Sequence, residues 1–118
     1  MLNDSKVEAN IPAADLQRAR TFYADKLGLT PVQDMGVTLV YETAYAGQAG
    51  HTIAQWHVTD IESEVRDLKG KGVGFEVYDM PGVTWDGEIA SIEGMGRAAW
   101  FKDSEGNTMC IDEPNTGL

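Results

Sequence analysis

The side chains best suited to chemistry are few, and they lie on segments that alternate between apolar and polar residues. Glu8 lies in the segment KVEANIP and Cys110 lies in TMCIDE, while His51 and His57 bracket the segment HTIAQWH. Alternation with a period of two is typical of a half-buried strand, on which every second side chain points to the same face. A carboxylate, an imidazole and a thiol are side chains that can each bind a metal ion or move a proton.

The faces of the segment 51–59 decide which of these groups can meet. Ile53, Gln55 and His57 are predicted to share one face, whereas Trp56 falls on the opposite face, which we assign to the core. A surface or hydrogen-bonded histidine is the ordinary role of His57, and a proton donor at the mouth of a cavity is the functional alternative.

Cys110 is the only cysteine, so the chain has no intrachain disulfide, which agrees with a reducing cytoplasm. A single cysteine in a strand is more often a small buried apolar residue than a nucleophile. The sequence places no basic residue or helix N-terminus beside it that would lower its pKa. We therefore predict a packing role, with ligand contact as the alternative.

Aromatic and methionine side chains form a second group with binding potential. Several of them lie near strand ends or in less regular segments, where the demand for core packing is weaker: Trp85, Trp100, Tyr41, Met35, Met80 and Met95. Aromatic faces stack on flat molecules and attract cations. Each residue alone is most simply explained by core packing, but as a group they predict the wall of a binding cavity equally well.

Two helices and several strands are predicted to position these residues. Asp15 can cap the first helix and Gly28 can end it, while Asp60 can cap a second helix that ends near Gly72. Strands are predicted at residues 6–12, 37–43, 51–59, 73–78, 97–102 and 108–113, with a weaker one at 30–34. Residues 44–50 are predicted to be a loop, residues 83–96 have no firm assignment, and residues 103–107 are predicted to connect a hairpin.

The same order of elements occurs twice, with 45 residues between the two aspartate caps Asp15 and Asp60. An internal repeat of this length indicates a fold built from two similar units. We predict one α+β domain over residues 1–118, in which two β-α-β-β-β units, about 6–50 and about 51–114, form a curled mixed or antiparallel sheet. The sheet is shaped as a cup, with the helices packed outside it.

The net charge of the chain limits the classes of partner that it is expected to bind. A net charge of −10 on 118 residues repels phosphate backbones and anionic lipid surfaces, so we predict no nucleic-acid or membrane partner. The same charge raises the concentration of cationic molecules near the protein surface. The sequence shows neither a secretory signal nor an apolar run near the roughly 18 residues of a membrane span. The predicted location is cytoplasmic.

Three segments resemble, in order and spacing, the vicinal oxygen chelate superfamily, the group of glyoxalases, bleomycin-resistance proteins and extradiol dioxygenases. They are DLQRARTFYADKLG at residues 15–28, VTDI at 58–61 with KGV at 71–73, and WFKDSEGN at 100–107. The resemblance covers about residues 6 to 113. It departs from the family in the first unit, where only about 22 residues, 29–50, must supply what are usually three strands.

The resemblance implies a cup that usually holds a divalent metal on ligands from the first and last strands of each unit. The matching positions here are Glu8, Ile53, Cys110 and a residue near 39–41, so only a carboxylate and a thiol remain. That set is a poor match for the hard metals of these enzymes. We therefore favour no cofactor, and the alternative is a displaced divalent-metal site built from Glu8, His51, His57 and Cys110 or Asp112.

The resemblance implies a small-molecule ligand and a homodimer. We predict a binding protein of the bleomycin-resistance type that holds an organic ligand, with a cationic ligand favoured by the acidic charge. The first alternative is a metal-dependent lyase, isomerase or dioxygenase, and the second is a metal-free epimerase-like enzyme with Glu8 as its catalytic base. The candidate binding residues are Glu8, Asn10, Tyr41, Gln55, His57, Trp85, Trp100 and Cys110.

Overall fold

The computed structural model of this chain describes residues 2–5, 10–30 and 38–115. Within these ranges helices and strands are mixed along the chain, and the strands form curled, unclosed sheets, so the predicted α+β class is confirmed. No helix in these ranges is long and apolar enough to cross a membrane.

Both predicted helices form, and both begin at the predicted aspartate. The first helix, α1 (Leu16–Phe22), begins where the Asp15 carboxylate accepts a hydrogen bond from the amide of Arg18 at 3.0 Å, and it continues into a π-helical turn (Tyr23–Leu27). Gly28 ends that turn at a φ of 68°, a left-handed conformation that favours glycine. The second helix, α2 (Ile61–Gly70), is capped in the same way by Asp60, and a short 3₁₀ turn (Leu2–Asp4) precedes both.

The described strands form two sheets. The smaller sheet pairs β1 (Asn10–Ala13) in parallel with β2 (Thr38–Glu42). The larger sheet has the order β3-β8-β7-β6-β5, in which β3 and β8 are parallel and the other neighbours are antiparallel. Its strands are β3 (Thr52–His57), β4 (Phe75–Glu76), β5 (Val83–Asp86), β6 (Ile89–Ile92), β7 (Gly96–Lys102) and β8 (Thr108–Pro114).

One edge of β7 is shared by two strands, which changes two predictions. The first half of β7 pairs with β6, and its last two pairings, to Phe75 and Glu76, are made by β4. The strand predicted at 73–78 is therefore only two residues long. The unassigned segment 83–96 forms the hairpin β5–β6, whose turn places Gly87 at a φ of 62°.

A β-bulge in β3 overturns the predicted faces of that strand. Thr52 pairs with Thr108 and Ala54 pairs with Met109, so Ile53 is an extra residue opposite one step of β8. Ile53 packs against the hydrophobic core, as Ala54 and Trp56 do. The prediction that Ile53 shares a face with Gln55 and His57 was wrong. The bulge shifts the alternation by one residue, so that Ile53 and Ala54 both face the core and Thr52 lies on the same face as Gln55 and His57.

The core lies between the helices and one face of the larger sheet. Ala99 and Phe101 of β7 and Met109 and Ile111 of β8 contribute that face, and Trp56 stacks on Phe101 with ring centroids 6.1 Å apart. The predicted core role of Trp56 is confirmed. Each second residue of β7 and β8 thus faces the helices, which leaves the residues between them to the opposite, concave face.

The loop at residues 103–107 ties the first unit to the second. Glu105, whose side chain is fully buried, accepts hydrogen bonds from the amides of Ala14 and Asp15, both at 2.9 Å, and from the guanidinium of Arg18. The amide nitrogen Nδ2 of Asn107 donates to the carbonyl of Pro12 at 2.8 Å. In the described residues, β1 and β2 do not pair with strands of the larger sheet, and these hydrogen bonds connect the two units instead. The loop therefore holds the first unit to the second, besides connecting β7 to β8.

The first unit is described only in part. Its two described strands, β1 and β2, are parallel, as are the first and last strands of the second unit, β3 and β8. On this pattern β2 occupies the place of a last strand. Most of the weaker strand predicted at 30–34 lies outside the described residues, and so do residues 6–9 of the first predicted strand.

Candidate ligand-binding site

The concave face of the larger sheet has a floor of small residues. Ala90 and Ala98 are paired neighbours on β6 and β7, and Cys110 lies on the adjacent strand β8. All three are buried, yet they are not part of the hydrophobic core, because they lie on the other face of the sheet. Ala98 and Cys110 line a cavity on this face, so their small side chains leave room beside them for a bound molecule.

Three half-buried aromatic side chains stand beside this floor, and we call Tyr78, Trp85 and Trp100 the aromatic wall. Trp100 is central, with its ring centroid 6.0 Å from that of Trp85 and 5.9 Å from that of Tyr78. Trp85 pairs with Ala90 and Trp100 pairs with Cys110, which puts the wall and the floor on the same face. The wall offers an apolar surface suited to a flat ligand.

Two cavities meet at Trp100 and Thr52. The larger has a volume of about 570 Å³ and is lined also by His51, Tyr78, Lys102 and Thr108. The smaller, of about 180 Å³, is lined among others by Gln55, Ala98, Cys110 and Asp112. A third cavity, of about 150 Å³, lies on the core side between the helices and the sheet, beside Trp56 and Phe101.

His57 and Asp112 form a hydrogen-bonded pair at the rim of the smaller cavity. Nδ1 of His57 lies 2.7 Å from Oδ1 of Asp112, and the imidazole is 72% exposed whereas the carboxylate is 16% exposed. Because an ionised carboxylate can only accept, the Nδ1–H of His57 donates to it and Nε2 is turned to solvent or a ligand. This arrangement can orient a histidine for hydrogen bonding or proton transfer.

Cys110 has no sign of a reactive thiol. Its side chain is buried, and burial, together with the negative charge of Asp112, raises the pKa of the thiol to about 12. Sγ donates a weak hydrogen bond to the carbonyl of Ile111 at 3.5 Å. At neutral pH the thiol is therefore protonated and acts as a small apolar part of the floor.

We expect the Cys110 thiol of the folded protein to react with 5,5′-dithiobis(2-nitrobenzoate) at least about 100-fold more slowly at pH 8 than in urea, since both burial and the raised pKa suppress the thiolate. Absorbance at a series of urea concentrations measures this. Complete reaction of the folded protein within the mixing time would contradict the assignment.

The described residues do not fit the metal site of the superfamily. They contain no group of three or more His, Cys, Asp and Glu side chains placed to hold a metal ion. Ile53 faces the core, the thiol of Cys110 is protonated, and Nδ1 of His57 is engaged by Asp112. Glu8, the remaining family position with a suitable side chain, lies outside the described residues.

The structure brings together five of the predicted site residues and separates others. Gln55, His57, Trp85, Trp100 and Cys110 lie on the concave face. Asn10 lies in the smaller sheet opposite Thr38, and the backbone of Tyr41 pairs there with Pro12. His51 lines the larger cavity, away from His57.

Sequence reasoning missed three residues of the larger cavity, Tyr78, Lys102 and Thr108. The signal for two of them was present, because Lys102 is two residues after Trp100 and Thr108 is two residues before Cys110. Strand alternation therefore puts them on the concave face. Tyr78 had no such signal, since it follows a strand that is only two residues long.

Comparison with known proteins gives likeness in structure and none in sequence. No protein-family model and no curated protein matches the sequence. Among solved structures, TnmS3, an antibiotic binding protein from Streptomyces sp. CB03234, is 17% identical with a TM-score of 0.63, over 94% of this chain and 98% of that one. FosX, a fosfomycin resistance protein from Listeria monocytogenes, is 10% identical with a TM-score of 0.65, over 95% and 94%.

These likenesses identify the fold of the chain as that of the vicinal oxygen chelate superfamily. Within that fold it is similar to antibiotic-binding and antibiotic-resistance proteins. A further neighbour is a glyoxalase/bleomycin resistance protein from Streptomyces sp. CB03234, 18% identical over 91% of this chain and all of that one, with a TM-score of 0.58. The fold implied by the three sequence segments is thus confirmed.

Proposed function

We propose that this protein binds a flat organic molecule against the aromatic wall and does so without a metal ion. The observation that carries the proposal is the position of Trp100, which lines both cavities, the smaller of which is also lined by Ala98 and Cys110 of the floor. The larger cavity, about 570 Å³, has the size of ordinary small-molecule sites, which range over about 300–1,000 Å³.

The aromatic wall favours a planar ligand over a flexible one. Trp100 touches a second ring on either side, so its orientation is held before a ligand arrives. A ligand that stacks on a fixed ring loses less entropy on binding than one that must order the ring first. Gln55 and the His57–Asp112 pair supply hydrogen-bonding groups at the neighbouring rim.

The structural neighbours support a role in binding antibiotics. TnmS3 is an antibiotic binding protein, and FosX is a fosfomycin resistance protein. By analogy of fold, which is a weaker argument than the site itself, the ligand of this chain would be an antibiotic-like molecule. The net charge of −10 favours ligands that carry a cationic group, because it raises their concentration near the surface.

The main competing function is a metal-dependent enzyme. One FosX structure, of its E126Q mutant, is described as a complex with Mn(II) and a dihydroxypropylphosphonic acid, so a divalent metal belongs to the chemistry of this fold. The donor set of the described residues does not match such a site, as shown above. We therefore derive no reaction step through a metal.

A thermal-shift plate that crosses EDTA, Mg²⁺, Mn²⁺, Ni²⁺ and Zn²⁺ with planar cationic, neutral and anionic aromatic compounds separates the two functions. We expect planar aromatic compounds to raise the melting temperature by several degrees in EDTA, since a ligand at 100 times its Kd stabilises by about 2.7 kcal/mol. Aliphatic compounds of the same charge are the control. Stabilisation that requires a divalent ion would contradict the proposal.

A homodimer and a cytoplasmic location are part of the proposal and rest on the resemblance. In the described residues, β3 and β5 are the two ends of the larger sheet, and an edge strand is a common place for a second copy to pair. Sedimentation at micromolar concentration would test the oligomeric state.

A further inference from the structure

The far end of the larger cavity carries a basic side chain in an otherwise acidic protein. Nζ of Lys102 donates to the hydroxyl of Thr108 at 2.7 Å, and Thr108 lines the larger cavity together with Tyr78 of the aromatic wall. Thr108 is buried, with 8% of its surface exposed, whereas Lys102 keeps 42% of its side chain exposed. The ammonium group is thus held at the cavity by a buried partner and remains accessible.

The positive charge of Lys102 is not neutralised by a close ion pair. The nearest carboxylate oxygen is that of Glu76 at 4.0 Å, and both side chains are more than a third exposed, so the pair contributes little. Arg97 borders the smaller cavity, but its guanidinium donates to Glu62 at 2.7 Å and to Glu113 at 2.9 Å on the helix side of the sheet. Among the described residues that line the larger cavity, Lys102 is therefore the lysine or arginine available to a ligand.

We propose that Lys102, with the hydroxyls of Thr108 and Tyr78, is a subsite for an acidic group of the ligand, such as a carboxylate or a sulfonate. The inference rests on the proposed function, because it places the aromatic part of the same ligand on Trp100. Tyr78 lies between the two parts, since its ring centroid is 5.9 Å from that of Trp100 and it lines the same cavity as Lys102 and Thr108. The ligand class is then a flat aromatic acid.

The opposite rim of the site has the opposite charge. Asp112 lines the smaller cavity, and its carboxylate is held by His57. A ligand that spans both cavities would put its acidic group at Lys102 and a donor or cationic group near Asp112. The local charge at Lys102 therefore selects the orientation of the ligand, while the overall charge of −10 acts at long range.

Two fluorescent probes that differ only in an acidic group test this subsite: 8-anilinonaphthalene-1-sulfonate and the neutral N-phenyl-1-naphthylamine. In EDTA we expect the folded wild type to bind the sulfonate at least about fivefold more tightly than the neutral probe. Lys102→Met and Lys102→Gln should remove that preference and leave the affinity for the neutral probe within about twofold. Lys69→Met is the matched control. Lys69 lies on α2 and forms an exposed ion pair with Glu88, so the substitution removes the same charge at a different site.

The ratio of the two affinities is the readout, so a general loss of folding, which weakens both probes, does not imitate the result. A preference that survives in both Lys102 variants, or that is absent from the wild type while the neutral probe binds, overturns the subsite and leaves the proposed function standing. Failure of both probes to bind the wild type overturns the proposed function and the subsite with it.

Discussion

A Glu105→Ala variant is expected to lose about 1.5 to 3 kcal/mol of the free energy of unfolding, the usual contribution of hydrogen bonds to a charged group, because its ion-pair partner Arg18 is 54% exposed. The side chain of Glu105 is fully buried and accepts from the amides of Ala14 and Asp15, from Arg18 and from the hydroxyl of Ser104. Without the carboxylate, the backbone amides of Ala14 and Asp15 before α1 lose their acceptor. The first unit would then be held to the second by fewer polar contacts.

Glu105 also makes the free energy of unfolding depend on pH. The hydrogen bond from Arg18, supported by those from the backbone amides, holds the pKa of Glu105 at about 2, below its ordinary value of 4.5. A lowered pKa in the folded state means that the stabilisation is complete above pH 4.5 and is lost as the pH falls toward 2. Wild type should lose less than about 3 kcal/mol across that interval from this group, because solvent screens the exposed Arg18 partner, whereas Glu105→Ala should lack that component.

Urea denaturation at pH 7 and at several pH values down to 2.5 measures both effects. Glu88→Ala is the matched control, because its carboxylate forms an exposed pair with Lys69, and we expect it to cost less than about 1 kcal/mol. A Glu105→Ala variant within 1 kcal/mol of wild type would show that the loop at residues 103–107 does not hold the two units together.

A Trp100→Ala variant is expected to bind N-phenyl-1-naphthylamine about 10- to 100-fold more weakly than wild type. Stacking of a ring on an aromatic side chain contributes about 1–3 kcal/mol, and 1.4 kcal/mol is a factor of ten in affinity. Trp100 is also the contact between Trp85 and Tyr78, so its removal takes away the middle of the aromatic wall. Fluorescence titration of the probe in EDTA measures the loss.

Two further variants separate stacking from folding. Trp100→Phe keeps a ring at the same place and should weaken binding by less than about fivefold. Trp56→Phe changes a tryptophan on the core side, where it stacks on Phe101, and should leave the affinity unchanged. Equal affinities for wild type and a folded Trp100→Ala variant would exclude the aromatic wall as the binding surface.

Elements with local sequence signals were predicted well. The caps Asp15 and Asp60 each satisfy an amide at the start of a helix, which depends on residues close in sequence. The last two strands and their connection also follow from local alternation and turn residues. The repeat between the two units is itself a local pattern that occurs twice, so it was visible without any structure.

Features that depend on pairing between distant strands could not be predicted. The bulge at Ile53 is a mismatch of register between β3 and β8, and no residue within β3 signals it. The sharing of one edge of β7 by β4 and β6 likewise shortened a predicted strand.

The hairpin β5–β6, in contrast, could have been predicted from its turn residues. The Asp86-Gly87 pair was an available hairpin signal, since glycine adopts the positive φ required at the turn.

The candidate site shows the same division. Strand alternation placed Gln55 and His57 on the face opposite Trp56, and their pairing with Cys110 and Asp112 puts them there, whereas the position of Cys110 in the cup came from the resemblance. The role of Trp100 as the junction of two cavities depends on which strands lie on either side of β7, a tertiary property. The subsite that we propose at Lys102 also depends on tertiary pairing, because its hydrogen-bond partner Thr108 lies on the neighbouring strand β8.

The most direct test of metal-free binding at the aromatic wall is the NMR spectrum of ¹⁵N-labelled protein in EDTA, titrated with N-phenyl-1-naphthylamine. The chain has three tryptophans, so three indole N–H signals report on two faces of the sheet. The account predicts that the signals of Trp85 and Trp100 shift together and saturate, while that of Trp56 stays in place. A dominant shift of Trp56, which would put the ligand in the core-side cavity, or shifts that require a divalent metal, would contradict it.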